Sequence, residues 1–361
     1  MRGTRLELRS ESLRHNLRRA RAHAGGAAVF AMIKANGYGH GLLFTARALA
    51  GEADGFGVAL MEEARQLRAA GIHQPLMLLE GVFDVDELRE AALLQCELVI
   101  HSHWQVALLQ QCPEARPLTL WLKIDTGMHR LGLPPAALAA VLSDLQAMDG
   151  VHVAGLASHF ACADMTPDAL SETQLAGLEA LAAHHHLPFT AANSAALLRY
   201  PASAGARVRP GIMLYGSSPF ADRSATSLNL AVTQRLTARI IALNEVPVGH
   251  TVGYGASWTA SRPSRIAVVA IGYGDGYPRH APAGTPVAVQ HADGQWRRAP
   301  LAGRVSMDMI TVDVTDVPAA VGDVVELWGD QVSVDEVAQR CGTISYELFC
   351  RLTARPERVE C

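Results

Sequence analysis

Residues 28–41 read AVFAMIKANGYGHG. An apolar run rich in large side chains ends at a single lysine, Lys34, and three glycines then alternate with a tyrosine and a histidine. The run predicts a buried β-strand. The small residues after it would let the backbone approach a bulky ligand closely. The stretch therefore predicts a strand whose carboxyl end carries one amine and an open, glycine-rich turn.

The same pattern of a short apolar run followed by an amphipathic stretch continues to about residue 213. The predicted strands are 28–34, 55–60, 75–80, 97–101, 118–124, 151–158, 188–193 and 207–213. Strict alternation of strands and helices predicts a parallel sheet, and eight strands favour a closed (β/α)8 barrel of the TIM type. An open, doubly wound α/β sheet is the alternative.

After about residue 225 the pattern of apolar and polar residues changes. Stretches such as SRIAVVAIGYGDGYPR and MDMITVDVTDV alternate apolar and polar residues and are punctuated by Gly, Pro and Asp. This pattern predicts a mostly-β domain. We expect a barrel over residues 1–228 and a β-rich C-terminal domain over residues 229–361. GYGDGYPR, at 272–279, lacks the strand–helix frame of a dinucleotide site and is expected to be a turn.

Composition narrows the function classes. Of the 361 residues 49% are hydrophobic and 18% are charged, which suits a large folded core, and the net charge of −4 comes without a basic stripe for nucleic acid. The N-terminus has no apolar core of a signal peptide, and no apolar run is long enough to span a membrane. The six cysteines form no CxxC pairs. We therefore expect a cytoplasmic protein with neither a disulfide framework nor a zinc site.

Polar residues follow the predicted barrel strands, at the end where such barrels place their active sites. The candidates are Lys34 after strand one, Lys123, Asp125 and Arg130 after strand five, His159 after strand six, Asn193 and Ser194 after strand seven, and Arg209, Gly211 and Ile212 after strand eight. The loops after the last two strands often bind phosphate. An amine at the edge of an apolar pocket can form a Schiff base with a carbonyl group. Together these features predict pyridoxal 5'-phosphate as the cofactor.

The segment AMIKANGYGHG resembles the cofactor-lysine signature of bacterial alanine racemases. LKIDTGMHRLG, SHF, NSA, VRPGIMLYG, VGYGASW, GRVSMDM and SYELFC follow in the order of that family and at similar spacing. The resemblance covers nearly the whole chain. It implies a pyridoxal-phosphate-dependent isomerase with a barrel and a β-domain, which interconverts L-alanine and D-alanine as a homodimer with shared active sites.

The resemblance also implies a role for each matching residue. Lys34 would form the internal aldimine and act as one base, and Tyr254 of the other subunit would be the second base. His159 would hydrogen-bond that tyrosine, and Arg209 would face the pyridine nitrogen. The residues expected to hold the phosphate are Tyr38, Ser194, Gly211, Ile212 and Tyr346. Those expected at the substrate carboxylate are Arg130, which also contacts the cofactor, and Met307 of the other subunit through its backbone N–H, with Asp308 nearby.

Two bases suit a racemase because a proton must leave one face of Cα and return to the other. Arginine keeps its proton, so Arg209 would leave the ring nitrogen unprotonated and the ring a weaker electron sink. We expect this to favour simple reprotonation over transamination. Lys123 is a carbamylated lysine in many members of that family, but a plain lysine or a bound anion could serve instead.

Three other functions fit part of the sequence. HSH at 101–103, with Lys123 and His159, supplies some of the ligands of the binuclear metal site of a hydrolase. However, this HxH motif follows strand four, whereas such hydrolases place it after strand one. Strand eight carries Arg209 where an acidic ligand would be needed. A pyridoxal-phosphate carrier protein would have the barrel alone. A decarboxylase of basic amino acids on the same fold would have an acidic residue at the position of Arg209, opposite the ring nitrogen. The product D-alanine could serve peptidoglycan synthesis, or the enzyme could serve alanine catabolism.

Overall fold

The computed structural model describes residues 3–166 and 168–361. The chain forms two compact units. Residues 13–231 form one of them, and the other contains residues 232–361 together with the start of the chain, up to residue 12. Each unit has its own secondary structure and buried core.

The first unit is built on eight parallel strands, of which the first seven pair with one another in chain order. They are Ala28–Met32, Gly55–Val58, Leu76–Leu78, Cys96–Ile100, Leu118–Lys123, Val151–Ala157, Phe189–Thr190 and Arg207–Val208. The last strand pairs with the first. Backbone bonds join the seventh and eighth strands, since Ala206 N donates to Phe189 O and Arg209 N to Ala192 O, each at 2.8 Å. The ring is therefore closed, and the predicted barrel is confirmed over the open sheet.

Helices lie between the barrel strands. Their bounds are Ser10–His23, which begins in the second unit, Leu42–Leu49, Met61–Ala69, Val85–Leu93, His103–Gln111, Leu138–Gln146, Ala169–His185 and Ser194–Arg199. Short 3-10 turns occupy Pro135–Ala137, Pro201–Ala204, Ile212–Tyr215 and Thr226–Leu228. Side chains one helical turn apart, such as Leu13 and Leu17, are fully buried and form the apolar stripe of an amphipathic helix. Carboxylates cap two of the helices, with Asp84 accepting from Glu87 N and Asp168 from Ser171 N.

A charged pair stands between aromatic rings in the barrel wall. Arg207 bonds to Glu97 at 2.5 Å, and its guanidinium lies 4.1 Å from the centre of the Phe30 ring and 4.3 Å from that of Trp121. The Trp121 indole N–H donates to the same carboxylate at 2.7 Å. Both charges are thus paired, and the rings on either side of the guanidinium add cation–π attraction.

The second unit is mostly β. Its strands are Arg5–Leu8, Gln234–Val246, Thr251–Val252, Trp258–Thr259, Ser264–Val269, Pro286–Gln290, Trp296–Pro300, Ile310–Asp313, Val324–Trp328 and Glu357–Glu360. The helices Val334–Arg340 and Ser345–Cys350 and the 3-10 turns Tyr254–Ala256 and Tyr273–Asp275 complete it. The long strand Gln234–Val246 pairs with three neighbours and organises the sheet. The expectation of a β-rich C-terminal domain is confirmed.

The start of the chain differs from the sequence prediction, which assigned it to the barrel. Strand Arg5–Leu8 pairs antiparallel with residues 234–237 and parallel with Glu357–Glu360. Leu6 and Leu8 are buried while the charged residues that alternate with them, Arg5 and Glu7, are not. The four residues RLEL thus form a half-buried strand whose pairing partners lie more than 200 residues away, which no local pattern reveals.

No helix within residues 3–166 and 168–361 is both long and apolar enough to cross a membrane.

Candidate active site

Lys34 lies two residues after the end of the first barrel strand, and the turn after it is left-handed. Residues 35–39 all have positive φ, between 49° and 77°. Three of them are not glycine, and each such residue costs roughly 1–2 kcal/mol in this conformation. The side-chain oxygen of Asn36 stabilises the turn by accepting from Leu42 N at 2.9 Å. The glycine-rich pattern predicted an open turn, and the structure makes it a strained but well-bonded one.

Tyr38 points from this turn into a stack of aromatic rings. Its ring lies 4.6 Å from that of Tyr215, whose hydroxyl donates to Met32 O at 2.8 Å. A Cβ atom added to Gly211 would stand 2.5 Å from the Tyr38 hydroxyl oxygen. Only glycine leaves space for the hydroxyl at this place. The turn after strand one and the loop after strand eight therefore meet at Tyr38 and Gly211.

Ser194 organises the same loop from the end of strand seven. Its buried hydroxyl oxygen accepts hydrogen bonds from Gly211 N at 2.9 Å and Met213 N at 3.3 Å. With two bonds accepted, its own proton can be donated elsewhere. The Ile212 N–H between them has no hydrogen-bond partner within the part of the chain that the structure describes. This group of hydroxyl and amide donors suits an anion such as phosphate.

Arg209 directly follows the last barrel strand and is 7% exposed. Its guanidinium donates to Thr190 Oγ1, to Ser158 O at 2.5 Å and to Ala191 O at 3.3 Å. Burial lowers the pKa of Arg209 to about 10, and the positive charge of Arg207 adds to the effect. Arg209 is therefore a cation at neutral pH, fixed by neutral oxygen atoms.

Several cations gather around Lys123 at the end of strand five. Burial lowers the pKa of Lys123 to about 7, with further lowering from the charges of Arg209, Arg130 and Lys34. The pKa of His159 lies well below its ordinary value, first because of burial and then because of Arg209, Lys123 and other cations nearby. His159 is thus neutral at physiological pH, and a large fraction of Lys123 is an uncharged amine.

Three residues that the sequence prediction missed support these groups. Thr190 is buried, donates to Arg207 O at 2.7 Å and accepts from Arg209. Gln174, on the helix Ala169–His185, donates to His159 O at 3.0 Å. Ser158 donates to Ile124 O at 3.0 Å. Each binds a backbone group far away in the chain, so no short motif carries the signal.

The remaining predicted site residues belong to the second unit. Tyr254 is 70% exposed and Met307 53% exposed. Tyr254 sits between Gly253 and Gly255, both with positive φ. Tyr346 is half-buried on the helix Ser345–Cys350. Exposed aromatic and methionine side chains on a short turn are typical of a surface that meets a ligand or a partner.

The barrel-end residues fit pyridoxal phosphate. Lys34 offers an amine, while Ser194, Tyr38 and the Ile212 N–H are placed around Gly211, where a Cβ would intrude, and would hold its phosphate. Arg209 supplies a buried donor at the end of the last strand. Within the described residues, no cluster of His, Cys, Asp and Glu side chains has the arrangement of a metal site.

Comparison with known proteins agrees with this geometry. Residues 8–219 match the family described as alanine racemase, N-terminal domain, and residues 233–360 match alanine racemase, C-terminal domain. The chain belongs to the alanine racemase family. The two matches leave residues 220–232 between them, where the structure also divides the chain.

Individual alanine racemases match over nearly the full length. The alanine racemase of Alcanivorax borkumensis is 57% identical over 359 residues, 99% of each chain. A relative from Pseudomonas aeruginosa, named alanine racemase, biosynthetic, is 49% identical over 348 residues, 96% of each chain. The crystal structure of biosynthetic alanine racemase from Pseudomonas aeruginosa superimposes with a TM-score of 0.95 at 48% identity and covers 100% of both chains. The resemblance inferred from the motifs is confirmed.

Proposed function

We propose that this protein interconverts L-alanine and D-alanine, with pyridoxal phosphate held at the barrel mouth and Lys34 and Tyr254 as the two bases. The observation that carries the proposal is the contact of Tyr38 with Gly211, beside Ser194. It joins the turn of the lysine to the anion-binding loop. One amine and one phosphate cradle at the same strand ends are what this cofactor requires.

When bound, the cofactor supplies an aldehyde for an amine and an electron-withdrawing ring that makes the Cα proton of alanine acidic. Lys34 would then take or return that proton on one face of Cα. The Tyr254 hydroxyl would do so on the other face. A single base would return the proton to the face it came from, whereas two bases invert the centre.

Arg209 would face the pyridine nitrogen. Neutral oxygens of Thr190, Ser158 and Ala191 hold its guanidinium, so it stays a donor and does not pass on its proton. His159, neutral because its pKa is lowered, would hydrogen-bond Tyr254 without adding a second positive charge.

Arg130 and Lys123 would serve the substrate carboxylate. Arg130 is exposed at the strand-five loop and would contact both the carboxylate and the cofactor oxygen. Carbon dioxide reacts with uncharged amines, and a pKa of about 7 gives Lys123 enough of that form to be carbamylated at neutral pH. The carbamate would supply the negative charge that Arg130 needs for a fixed position.

The active enzyme would be a homodimer with shared sites. Tyr254 and Met307 are exposed in one chain, so both can enter a site on a second copy. The Met307 N–H has no hydrogen-bond partner within residues 3–166 and 168–361, and it would donate to the substrate carboxylate. Tyr346 would complete the phosphate site.

We infer a cytoplasmic enzyme that supplies D-alanine for peptidoglycan. The name of the Pseudomonas aeruginosa relative, alanine racemase, biosynthetic, favours this role over alanine catabolism.

The test is to incubate the purified protein with L-alanine and pyridoxal phosphate and to quantify D-alanine by chiral chromatography. Rapid formation of D-alanine, abolished in Lys34→Ala, is expected. No D-alanine from protein that still shows a borohydride-sensitive absorbance band would contradict the proposed reaction while keeping the cofactor.

A further inference from the structure

The motif GYGDGYPR, at 272–279, has no part in the function proposed above. In the structure it folds back onto the segment that carries Met307. Tyr273 N donates to Ser306 O at 3.0 Å, and Gly274 N donates to Met307 O at 2.8 Å. Two consecutive carbonyl groups of the Met307 segment are therefore held by two N–H groups of the glycine-rich turn.

The glycines make this approach possible. A Cβ atom at Gly272 would stand 2.3 Å from Ser306 O and 2.4 Å from Met307 O. Any side chain at residue 272 would push the two backbones apart. The backbone of residues 306–307 thus packs directly against the backbone of the glycine-rich turn.

The Arg355 side chain stabilises this contact between the turn and residues 306–307. Arg355 donates to Asp308 Oδ1 at 2.6 Å, and its Nε lies 3.3 Å from Asp275 Oδ1. Asp275 is fully buried and accepts from Gly272 N at 2.8 Å through its other oxygen. The guanidinium therefore bridges a carboxylate inside the turn and the carboxylate next to Met307.

The segment of Arg355 is itself tied to the turn. Thr353 Oγ1 donates to Gly274 O at 3.0 Å and accepts from Arg355 N at 3.3 Å. Thr353 N donates to Asp275 O at 3.2 Å. The backbone of Arg355 is consequently fixed on the same turn as the buried Asp275 carboxylate that its side chain binds.

We propose that Arg355 is a positioning residue that aims the Met307 N–H at the substrate carboxylate. This inference rests on the proposed function. The Ser306–Met307 peptide group, which carries the Met307 N–H, is held at its carbonyl by Tyr273 N, and the carbonyl of Met307 is held by Gly274 N. Arg355 fixes the side chain of the next residue, Asp308, and so restrains the chain on the far side of Met307. The planar guanidinium suits the task because it can bind two carboxylates in fixed directions, which an ammonium group does less well.

The experiment uses the holoenzyme with Arg355→Gln, and with Arg262→Gln as the matched control. Arg262 also pairs with an aspartate, Asp316, in the same unit, but on a different loop. Steady-state constants for L-alanine are measured together with the affinity for propionate, which is alanine without its amino group. Propionate affinity is measured by calorimetry and needs no turnover.

In Arg355→Gln we expect KM and the propionate dissociation constant to rise about tenfold, the loss expected when one hydrogen bond to a charged group is misaligned. The value of kcat should change by less than about threefold, because neither base is touched. Bound-cofactor absorbance should match that of wild type. Arg355→Lys should recover part of the affinity and Arg262→Gln should behave as wild type.

Unchanged KM and propionate affinity in Arg355→Gln, or a fall in kcat alone, would overturn the inference. If that variant does not fold, Asp308→Ala removes the same bond at the exposed end and must show the same rise in both constants. A wild-type protein that binds propionate but forms no D-alanine would refute the proposed function separately, and the propionate affinities would still decide the role of Arg355.

Discussion

In the barrel unit, Arg209 and Ser194 are almost completely buried, and each makes at least two hydrogen bonds to backbone or hydroxyl groups. In the C-terminal unit, Tyr254 and Met307 are 70% and 53% exposed. The barrel residues are fixed by the fold of their own chain. Those of the C-terminal unit sit on a supported backbone with their side chains exposed. Substitutions in the barrel should therefore change stability and cofactor binding, whereas substitutions at the exposed residues should change catalysis alone.

The largest expected effect is that of Tyr254→Phe. Removing a general acid–base group lowers rates by about 10²–10⁴-fold, and we expect a loss in that range for racemisation of L-alanine. The thermal unfolding midpoint should change little, because Tyr254 is 70% exposed in its own chain and its hydroxyl does not support the core of that chain. Chiral chromatography and a melting curve of the same preparation measure both. A parallel fall in stability would show that Tyr254 is a packing residue.

A pH effect should follow from the buried amine of Lys123. The unfolded lysine keeps its proton up to its ordinary pKa of 10.5, while the folded one loses it near 7. Between these values the unfolded state binds more protons, so stability rises with pH, by up to about 1.4 kcal/mol per pH unit. Denaturant unfolding of wild type and Lys123→Met, in buffer freed of carbon dioxide, should diverge from pH 7 to pH 9. Parallel curves would contradict the lowered pKa.

Thr190→Val tests the support of Arg209. The change removes the acceptor for one N–H of the guanidinium and the donor to Arg207 O. Leaving such buried groups unpaired costs about 1–3 kcal/mol, so the denaturant midpoint should fall accordingly. Thr190→Ser keeps the hydroxyl and should lose less. A loss in Thr190→Ser with none in Thr190→Val would mean that the methyl group, not the hydroxyl, matters.

Gly211→Ala is expected to have the smallest effect. Its new Cβ would crowd the Tyr38 hydroxyl at 2.5 Å, so one wall of the phosphate cradle must move. We expect about tenfold weaker binding of pyridoxal phosphate, equivalent to about 1.4 kcal/mol. Fluorescence titration of the apoenzyme measures it. Gly177→Ala, on an exposed helix with open space around it, is the control and should bind the cofactor normally.

The barrel could be predicted because each of its strands corresponds to a short apolar run in the sequence. Eight apolar runs with helices between them predict a closed parallel ring, and each of the eight runs overlaps a strand of the structure. Strand Arg5–Leu8 was not predicted because four residues in which charged and apolar side chains alternate carry little local signal. Only its distant partners identify it.

The place of the candidate residues at strand ends was predictable from the sequence, but the contacts that support them were not. Lys34, Ser194 and Arg209 follow apolar runs, so their place at strand ends could be inferred. The left-handed turn after Lys34 includes alanine and asparagine, which rarely adopt that conformation, and tertiary contacts impose it. GYGDGYPR was correctly predicted as a turn, while its contacts with residues 306–307 depend on long-range packing.

The central claim is that a complete site needs Lys34 of one chain and Tyr254 of another. Hybrid dimers of Lys34→Ala and Tyr254→Phe, purified through two different tags, test it most directly. If the sites are shared, one of the two sites in each hybrid is intact, and racemisation should reach roughly half the wild-type rate. If each chain builds its own site, every site in the hybrid lacks one base, and activity no higher than that of the parent variants would contradict the account.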